Sequence, residues 1–367
     1  MYDIEVDEMG PMKVLNLYFP KTDFKAIVVV HNTALGSSVG GVRISTSVTT
    51  QEVMRLARTM TLKNSIAGLP HGGGKAGIIA DPEDPKKEEY LRMFAKAIRD
   101  LSDYIPGPDM GSDEESMAWI YDEIQRAVGL PEVIGGIPLD ELGATGFGLA
   151  ECAEMVCPYS DVVELKGARL AIQGFGSVGK AAARFLTEKG AILVAVSDSK
   201  GTIHNPDGID VQDLLAIKSE TGRVINYKRG TVKDCEELFF TDCDILIPAA
   251  IPDVINRDNV EKIKAKLILQ GANIPATHEA EIILHKKGIL SVPDFIANAG
   301  GVIMAAMEYA KKTEKEAFEA ISTKIKTNTR LILKRCKECR EEYVLPREIA
   351  EQIAKERVIK AMKYREC

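Results

Sequence analysis

The sequence predicts an α/β fold in two domains, on three observations. The chain has 367 residues, more than one hydrophobic core ordinarily serves. Its second half alternates short, β-branched apolar runs with helical stretches, the pattern of a doubly wound parallel sheet. A Gly/Pro-rich segment, Gly129 to Gly143, lies between the halves and reads as a linker. The expected division is residues 1–138 and 139–334, with C-terminal helices over 335–367 packing back on the first domain.

Composition bounds the partners. Hydrophobic residues make up 45% and charged residues 28%, an ordinary globular mixture. A net charge of −7 argues against nucleic acid or a membrane surface as partner. No apolar run reaches the ~18 residues of a spanning helix, and the acidic N-terminus does not read as a signal peptide, so a cytoplasmic location is expected. Seven irregularly spaced cysteines (Cys152, Cys157, Cys235, Cys243, Cys336, Cys339 and Cys367) read as free thiols there. Cys336-Lys-Glu-Cys339 has no second Cys/His pair at matching spacing, so no metal site is expected.

In the first half, Phe24 to His31 reads as a buried strand. Gly40-Gly41 alone fits a hairpin turn as well as a functional approach of backbone to ligand. Val53, Leu56, Ala57 and Met60 give a helix over Thr50 to Ile66, capped by Thr49 or Thr50 and ending near Lys63. Three consecutive glycines, Gly72 to Gly74, then precede Lys75 and an apolar run, so a tight loop feeding a strand is expected. A phosphate-binding loop is excluded, because Leu69 stands at its first glycine position and Ala76 at its hydroxyl position. A surface lysine after a turn is the plain alternative. A lysine in a glycine-lined crevice, close to Lys63, would have its pKa pushed toward neutrality and suit proton transfer. Residues 86–103 are amphipathic and helical, and Ser112 with Glu115 reads as a capping box opening a helix from Asp113 to Val128. Asp109, between Pro108 and Met110-Gly111, locally reads as turn chemistry.

The second half carries the cofactor signal. A strand, Arg169 to Gln173, runs into Gly174-Phe-Gly176-Ser177-Val178-Gly179 and then a helix over Lys180 to Lys189. A strand over Ala191 to Ser197 ends at Asp198, 19 positions after Gly179. Strand, GxGxxG, helix and an acid about 20 residues on form a dinucleotide-binding fingerprint. Asp198 favours the free 2′-hydroxyl of NAD, while Ser197, Ser199 and Lys200 leave NADP open. Strands over Asp244 to Ala250, Lys266 to Gly271 and Ile289 to Val292 extend the sheet. Ala249, Ala250 and Asn273 fall at strand ends, where such sheets bind ligands. Asn298-Ala299-Gly300-Gly301 opens another helix, and Glu314 to Tyr364 reads as two charged helices.

Taken together, Gly40-Gly41-Val42-Arg43, Lys63-Asn64, Gly72 to Lys75, Pro108-Asp109-Met110-Gly111, Ala144-Thr145-Gly146, Gly174 to Gly179, Gly271-Ala272-Asn273 and Asn298 to Gly301 resemble the glutamate/leucine/phenylalanine/valine dehydrogenase family over nearly the whole chain. The resemblance implies reversible NAD(P)-dependent oxidative deamination of an L-amino acid to a 2-oxo acid and ammonia. It implies a mixed-sheet substrate and oligomerisation domain, a Rossmann NAD(P)-binding domain, closure of the two over a cleft, and a homo-oligomer. By position, Lys63 would hold the α-carboxylate. Lys75 would polarise the carbonyl and activate water, and Asp109 would exchange a proton with the amino nitrogen. The backbone at Gly41 and Gly73 would line the substrate pocket, Thr145 and Asn273 would orient the nicotinamide, and Asn298 would border both.

Two departures bear on the substrate. Glutamate-specific members carry a lysine where this chain has Val39 and a serine where it has Ala305. A substrate carboxylate buried there would be unpaired, a cost of several kcal/mol. The expectation is an apolar side chain, with Val39, Gly107, Val302 and Ala305 forming the pocket. Segments of the second domain, Val194 to Gly201 and Asn205 to Gly208, look closer to glutamate-type enzymes. The alternatives are a glutamate dehydrogenase with another γ-carboxylate site, a catalytically silent NAD-binding regulatory protein, and a hydroxy-acid dehydrogenase. The last would use a histidine in a setting that His31, His71, His204, His278 and His285 do not show.

Overall fold

The computed structural model describes residues 6–339 and 344–365. The chain divides into two compact units. The first runs to Pro138 and takes in Val302–Ala317 and the stretch from Glu351 onward; the second holds Leu139–Gly301 and Phe318–Ala350.

In the first unit the elements are β1 (Lys13–Phe19), β2 (Phe24–Asn32), β3 (Ser38–Ile44), α1 (Thr50–Ile66), β4 (Gly72–Ile78), α2 (Lys87–Ala97), β5 (Tyr104–Pro108) and α3 (Glu114–Ile124). The sheet order is β1-β2-β4-β3-β5. β2 is antiparallel to β1 and β4, whereas β3 is parallel to β4 and β5, so the sheet is mixed. β2 supplies the core with its β-branched run, and Val28, Val30, Val42, Ala76, Phe94, Tyr104 and Met117 pack together beneath α2 and α3. The half-buried β1 shows no continuous apolar run and escaped the sequence reading.

Local chemistry sets the helix ends. Thr49 caps α1 by accepting from the Glu52 amide at 3.2 Å. α3 is capped by Asp113, which accepts from the Ser116 amide at 2.8 Å, so the capping box expected at Ser112 is displaced by one residue. The Ser112 hydroxyl is engaged elsewhere. It accepts from the Asp109 amide at 2.9 Å and donates to the Val42 carbonyl at 2.7 Å, fastening the Asp109 turn to β3. The amphipathic helix expected to run to residue 103 stops at Ala97, because the chain must turn into β5.

The triple glycine is not a loop. Gly72, Gly73 and Gly74 are the first residues of β4, and all three are buried. A Cβ on Gly73 would stand 2.0 Å from the Thr61 amide nitrogen of α1, and one on Gly74 2.8 Å from the Tyr104 ring. Close packing of a helix and a ring on the two faces of this strand excludes side chains there. Gly40-Gly41 is likewise strand, within β3.

The second unit contains α4 (Leu139–Leu142), α5 (Ala144–Val156), β6 (Arg169–Gln173), α6 (Ser177–Glu188), β7 (Ile192–Asp198), β8 (Gly201–His204), α7 (Val211–Thr221), β9 (Thr231–Lys233), β10 (Ile245–Pro248), β11 (Leu267–Leu269), α8 (His278–Lys286), β12 (Leu290–Val292) and α9 (Asp294–Ala297). Then follow α10 (Gly300–Tyr309), α11 (Glu314–Glu338) and α12 (Pro346–Met362), each of which contains a boundary between the units. The sheet order is β12-β11-β10-β6-β7-β8-β9. The five strands from β12 to β7 are parallel; β8 and β9 add an antiparallel edge not read from the sequence. The order reverses between β6 and β10, which places a switch point at their carboxyl ends.

The C-terminal stretch belongs to both units, where 335–367 was expected to return to the first. Its residues up to Ala350 stay with the second unit, held through Arg347. That guanidinium reaches Glu281 at 2.9 Å, Asp294 at 2.9 Å and Gln270 at 2.8 Å. From Glu351 onward the chain joins the first unit, where the Ser65 hydroxyl donates to the Ala354 carbonyl at 2.8 Å. Six of the seven cysteines are free thiols, while Cys367 lies outside the described residues. Among the described residues no helix is long and apolar enough to cross a membrane.

Breaking a buried ion pair from one side leaves an uncompensated charge, so Arg347→Met should destabilise the second unit by about 3–5 kcal/mol. Denaturant unfolding followed by far-UV circular dichroism reads this. A loss below about 1 kcal/mol would mean that Glu281 and Asp294 find other partners.

Candidate active site

Strand register builds the first unit's site. Val39 pairs with Gly73 and Ile105, Gly41 with Gly107, Val42 with Ala76, and Arg43 with Gly77. Side chains alternate between faces of a sheet. One face of β3, β4 and β5 therefore carries Val39, Gly41 and Arg43 beside Gly73, Lys75 and Gly77, and Ile105 and Gly107 beside them again. Asp109 continues that face one residue past β5.

The reactive groups meet there. The Lys75 ammonium lies 2.6 Å from Oδ2 of Asp109. The Arg43 Nε lies 3.2 Å from the same oxygen, and its Nη1 lies 2.6 Å from Glu52 of α1. Lys75 is buried and Asp109 largely so. Burial pulls the Lys75 pKa down; Asp109 opposes this, and Arg43 adds to it. Burial alone would raise the Asp109 carboxyl, but Lys75 and then Arg43 outweigh it and hold it below the usual carboxylate range. The sequence reading named Lys63 as the second cation acting on Lys75, yet the cation with the larger effect is Arg43. Lys63 is half-buried in the last turn of α1, and its neighbour Asn64 donates to the Gly72 carbonyl at 2.7 Å. His71 stacks edge-on with Tyr309 at 5.8 Å and has its pKa lowered by burial, which fits packing rather than acid–base work.

Beside the ion pair the face is bare. A Cβ on Gly41 would lie 2.7 Å from Asp109 Cβ, 2.7 Å from the Pro108 oxygen and 3.2 Å from Lys75 Nζ. Adjoining it, Val39, Ile105, Val128 and Ala305 form one buried apolar cluster, and Gly107 points at Val128. Val302 is half-buried one turn before Ala305 in α10. Glu308, a turn beyond Ala305, accepts from the amides of Gly129, Leu130 and Ile137 at 3.0–3.2 Å, which secures the Val128 segment against α10. Ile105 and Val128 escaped the sequence reading, because apolar residues at a strand and a loop look like ordinary core.

The second unit gathers its own set at the switch point. Gly174 adopts φ +92° as β6 turns into α6, and a Cβ there would lie 2.7 Å from that of Ala250. A Cβ on Gly179 would stand 1.9 Å from the Gly174 oxygen, so α6 starts tight against the turn. Nothing lies within 4 Å of a Cβ built on Gly176, which leaves the backbone at the amino end of α6 open. Tight turn, open backbone and a helix N-terminus fit a pyrophosphate. Ser177 and Val178 form the first turn of α6, which begins three residues earlier than expected. Ala249 donates to the Gln173 carbonyl at 2.7 Å. The Asn298 amide bonds to Asn273 at 3.2 Å and to the Gly271 carbonyl at 3.2 Å. A Cβ on Gly301 would lie 3.2 Å from the Thr145 hydroxyl and one on Gly300 2.0 Å from the Ala144 oxygen, so α5 begins tight against the start of α10.

Asp198 ends β7 as expected by spacing, with its carboxylate engaged by protein groups. Its Oδ2 accepts from Lys218 at 2.6 Å and from the Val224 amide at 2.8 Å, and its Oδ1 from the Lys200 amide at 2.8 Å. The side chain is only 7% exposed. The carboxylate fastens the β7–β8 turn, and Ser199 and Lys200 are the exposed residues of that turn.

Residues 135–366 match the family described as Glutamate/Leucine/Phenylalanine/Valine dehydrogenase, and residues 11–126 match its dimerisation domain. The chain belongs to this family. It is an NAD(P)-dependent amino acid dehydrogenase with the Rossmann and mixed-sheet architecture expected of it. The chain is similar to a glutamate dehydrogenase of Aeropyrum pernix, at 42% identity covering 91% of this chain and 85% of that one. It is similar to an NADP-specific glutamate dehydrogenase of Saccharolobus shibatae, at 39% identity over 91% and 84%. Its fold matches a hetero-hexameric glutamate dehydrogenase of Thermus thermophilus in a Leu-bound form, with a TM-score of 0.86 at 29% identity, over 97% of this chain and 90% of that one.

The bare floor at Gly41 is testable. Gly41→Ala should fold normally by circular dichroism yet lose turnover by about 10²-fold, the cost of displacing a reacting group by roughly 1 Å. Turnover within about twofold of the parent would show that Asp109 and Lys75 tolerate the shift.

Proposed function

We propose that this dehydrogenase deaminates L-amino acids with neutral, apolar side chains, and that Lys75 and Asp109 carry the proton transfers. The observation carrying the substrate reading is the apolar cluster of Val39, Ile105, Val128 and Ala305 beside the ion pair. A γ-carboxylate placed there would be buried without a cation, which costs several kcal/mol. The α-carboxylate would be held by Lys63, with the backbone at Gly41 and Gly73 lining the floor. Asp109 would take a proton from the substrate nitrogen, and neutral Lys75 would take one from the water that attacks the imine carbon. Their contact at 2.6 Å would let a proton pass from one to the other between these steps. A nicotinamide bound by the second unit supplies the hydride acceptor. Gly174, Gly176, Ser177, Val178 and Gly179 would hold its pyrophosphate, Ala249 and Ala250 would flank it, and Thr145, Asn273 and Asn298 would orient its ring. The family's dimerisation domain and the hexameric neighbour support an oligomer, which we propose is a homo-oligomer, and the free thiols fit a reducing, cytoplasmic setting.

The second reading is a glutamate dehydrogenase, favoured by the names of the 42% and 39% identical relatives. Turnover measured at the absorbance of the reduced nicotinamide, with L-leucine, L-valine, L-phenylalanine and L-glutamate, separates the two. The proposal expects the apolar substrates to exceed glutamate by at least about 10²-fold in kcat/KM, the discrimination an unpaired buried charge imposes. Val39→Lys with Ala305→Ser should then gain glutamate activity. Glutamate as the best substrate of the parent would place its γ-carboxylate on other residues and end the apolar reading.

We infer further that NADP(H) is the favoured cofactor. Asp198 faces its own turn, so the usual partner for a free 2′-hydroxyl is engaged, while exposed Ser199 and Lys200 supply a hydroxyl, amides and a cation for a 2′-phosphate. Fluorescence titration should give a lower Kd for NADPH than for NADH, and Lys200→Ala should weaken NADPH by about tenfold, the loss of one charge-assisted contact, and leave NADH unchanged. Tighter NADH binding, or equal effects on both, would return the preference to NAD.

A further inference from the structure

We propose that Arg43 is a positioning residue for this reaction, a fixed cation that Glu52 tethers against the oxygen of Asp109 that Lys75 also contacts. The inference rests on the reading of Lys75 and Asp109 as the acid–base pair. Arg43 spends its fork on two carboxylates: Nε reaches Asp109 at 3.2 Å, and Nη1 reaches Glu52 at 2.6 Å. Register puts Arg43 on the reactive face, two residues past Gly41 and level with Asp109. Its side chain is 19% exposed, so its charge acts through a partly water-free medium.

The chemistry needs such a group. Lys75 must lose its proton at one stage of each turnover, and Asp109 would then lose its closest counter-charge. A guanidinium keeps its proton throughout. Arg43 therefore keeps Asp109 anionic and in place while Lys75 is neutral. The groups facing Asp109 are Lys75 from β4 and Arg43 from β3; Glu52 from α1 stands beyond Arg43, Lys63 lies in the last turn of α1, and Tyr104 of β5 lies on the opposite face. The Tyr104 hydroxyl is committed to the Gly40 carbonyl at 2.8 Å.

The signs follow from the charges. Removing the Arg43 cation makes the Asp109 anion harder to form and the Lys75 cation easier to keep, so both groups hold protons to higher pH. Removing the Glu52 anion does the reverse to both. The acid limb of the pH–rate profile for deamination belongs to the Lys75–Asp109 pair as a unit.

The experiment is the pH dependence of kcat/KM for the full-length Arg43→Gln, Arg43→Lys and Glu52→Gln variants, with Lys75→Ala beside them. Arg43→Gln should move the acid limb up by about one pH unit, the effect of one close charge, Arg43→Lys should move it back toward the parent, and Glu52→Gln should move it down. Profiles that fall uniformly without shifting would make Arg43 merely structural and overturn the inference. Full turnover by Lys75→Ala would instead overturn the reading beneath it. Should Arg43→Gln fail to fold, the downward shift of Glu52→Gln carries the test, and its absence refutes the proposal.

Discussion

A buried ammonium held against a carboxylate, on a strand face stripped of side chains, is the constraint around which the first unit is arranged. Lys75 loses several kcal/mol of hydration by being buried, and the contact with Asp109 is the main offset, with Glu52 adding to it. The space beside the pair exists because Gly41 and Gly107 lie in register on either side of Lys75, with Gly73 one rung away on the same face. α1 seats itself on that bareness at Gly73, and this packing brings Glu52 to Arg43. Floor, helix position and charge network thus depend on the same few missing Cβ atoms.

The second unit uses glycine differently. Gly174 turns the chain in the left-handed region, Gly179 lets the helix start against that turn, and Gly176 leaves the approach to α6 clear. The neighbouring amide groups are fixed by Asn298, which ties the ends of two strand-to-helix connections together through Asn273 and Gly271. Rigid backbone suits a ligand made largely of phosphate and amide, because such a ligand is read by direction more than by bulk.

Much of this was legible in the sequence, and the misses share a cause. Continuous apolar runs located β2, β6, β7 and β10, and periodic ones located α1 and α2, because burial on one face leaves a local signature. The fingerprint from Gly174 to Gly179 was readable because each glycine has its own steric reason. What sequence could not resolve was orientation. Asp198 stands at the expected spacing, yet its carboxylate turns inward to Lys218 and to two amides. The glycines at Gly72 to Gly74 promised a turn, since a strand gives no reason for three of them until a helix and Tyr104 are packed on it. Ile105 and Val128 became visible only through strand register and the path of α10, both non-local, and Arg43, part of a motif legible in the sequence, showed its contact with Asp109 only there. The C-terminal helices were located, but their division between two units depends on Arg347 and Ser65, whose partners are distant in sequence.

On the reactive face, chemistry and apolar lining occupy different rungs of the same three strands. Lys75 shares a rung with Gly41 and Gly107, Arg43 and Asp109 lie towards one end of β3 to β5, and Val39 and Ile105 lie on the rung on the other side. A mutation at Val39 or Ile105 alters shape at a rung that carries no charge. Such a layout lets a handful of substitutions change which side chain fits while the proton-transfer groups keep their places.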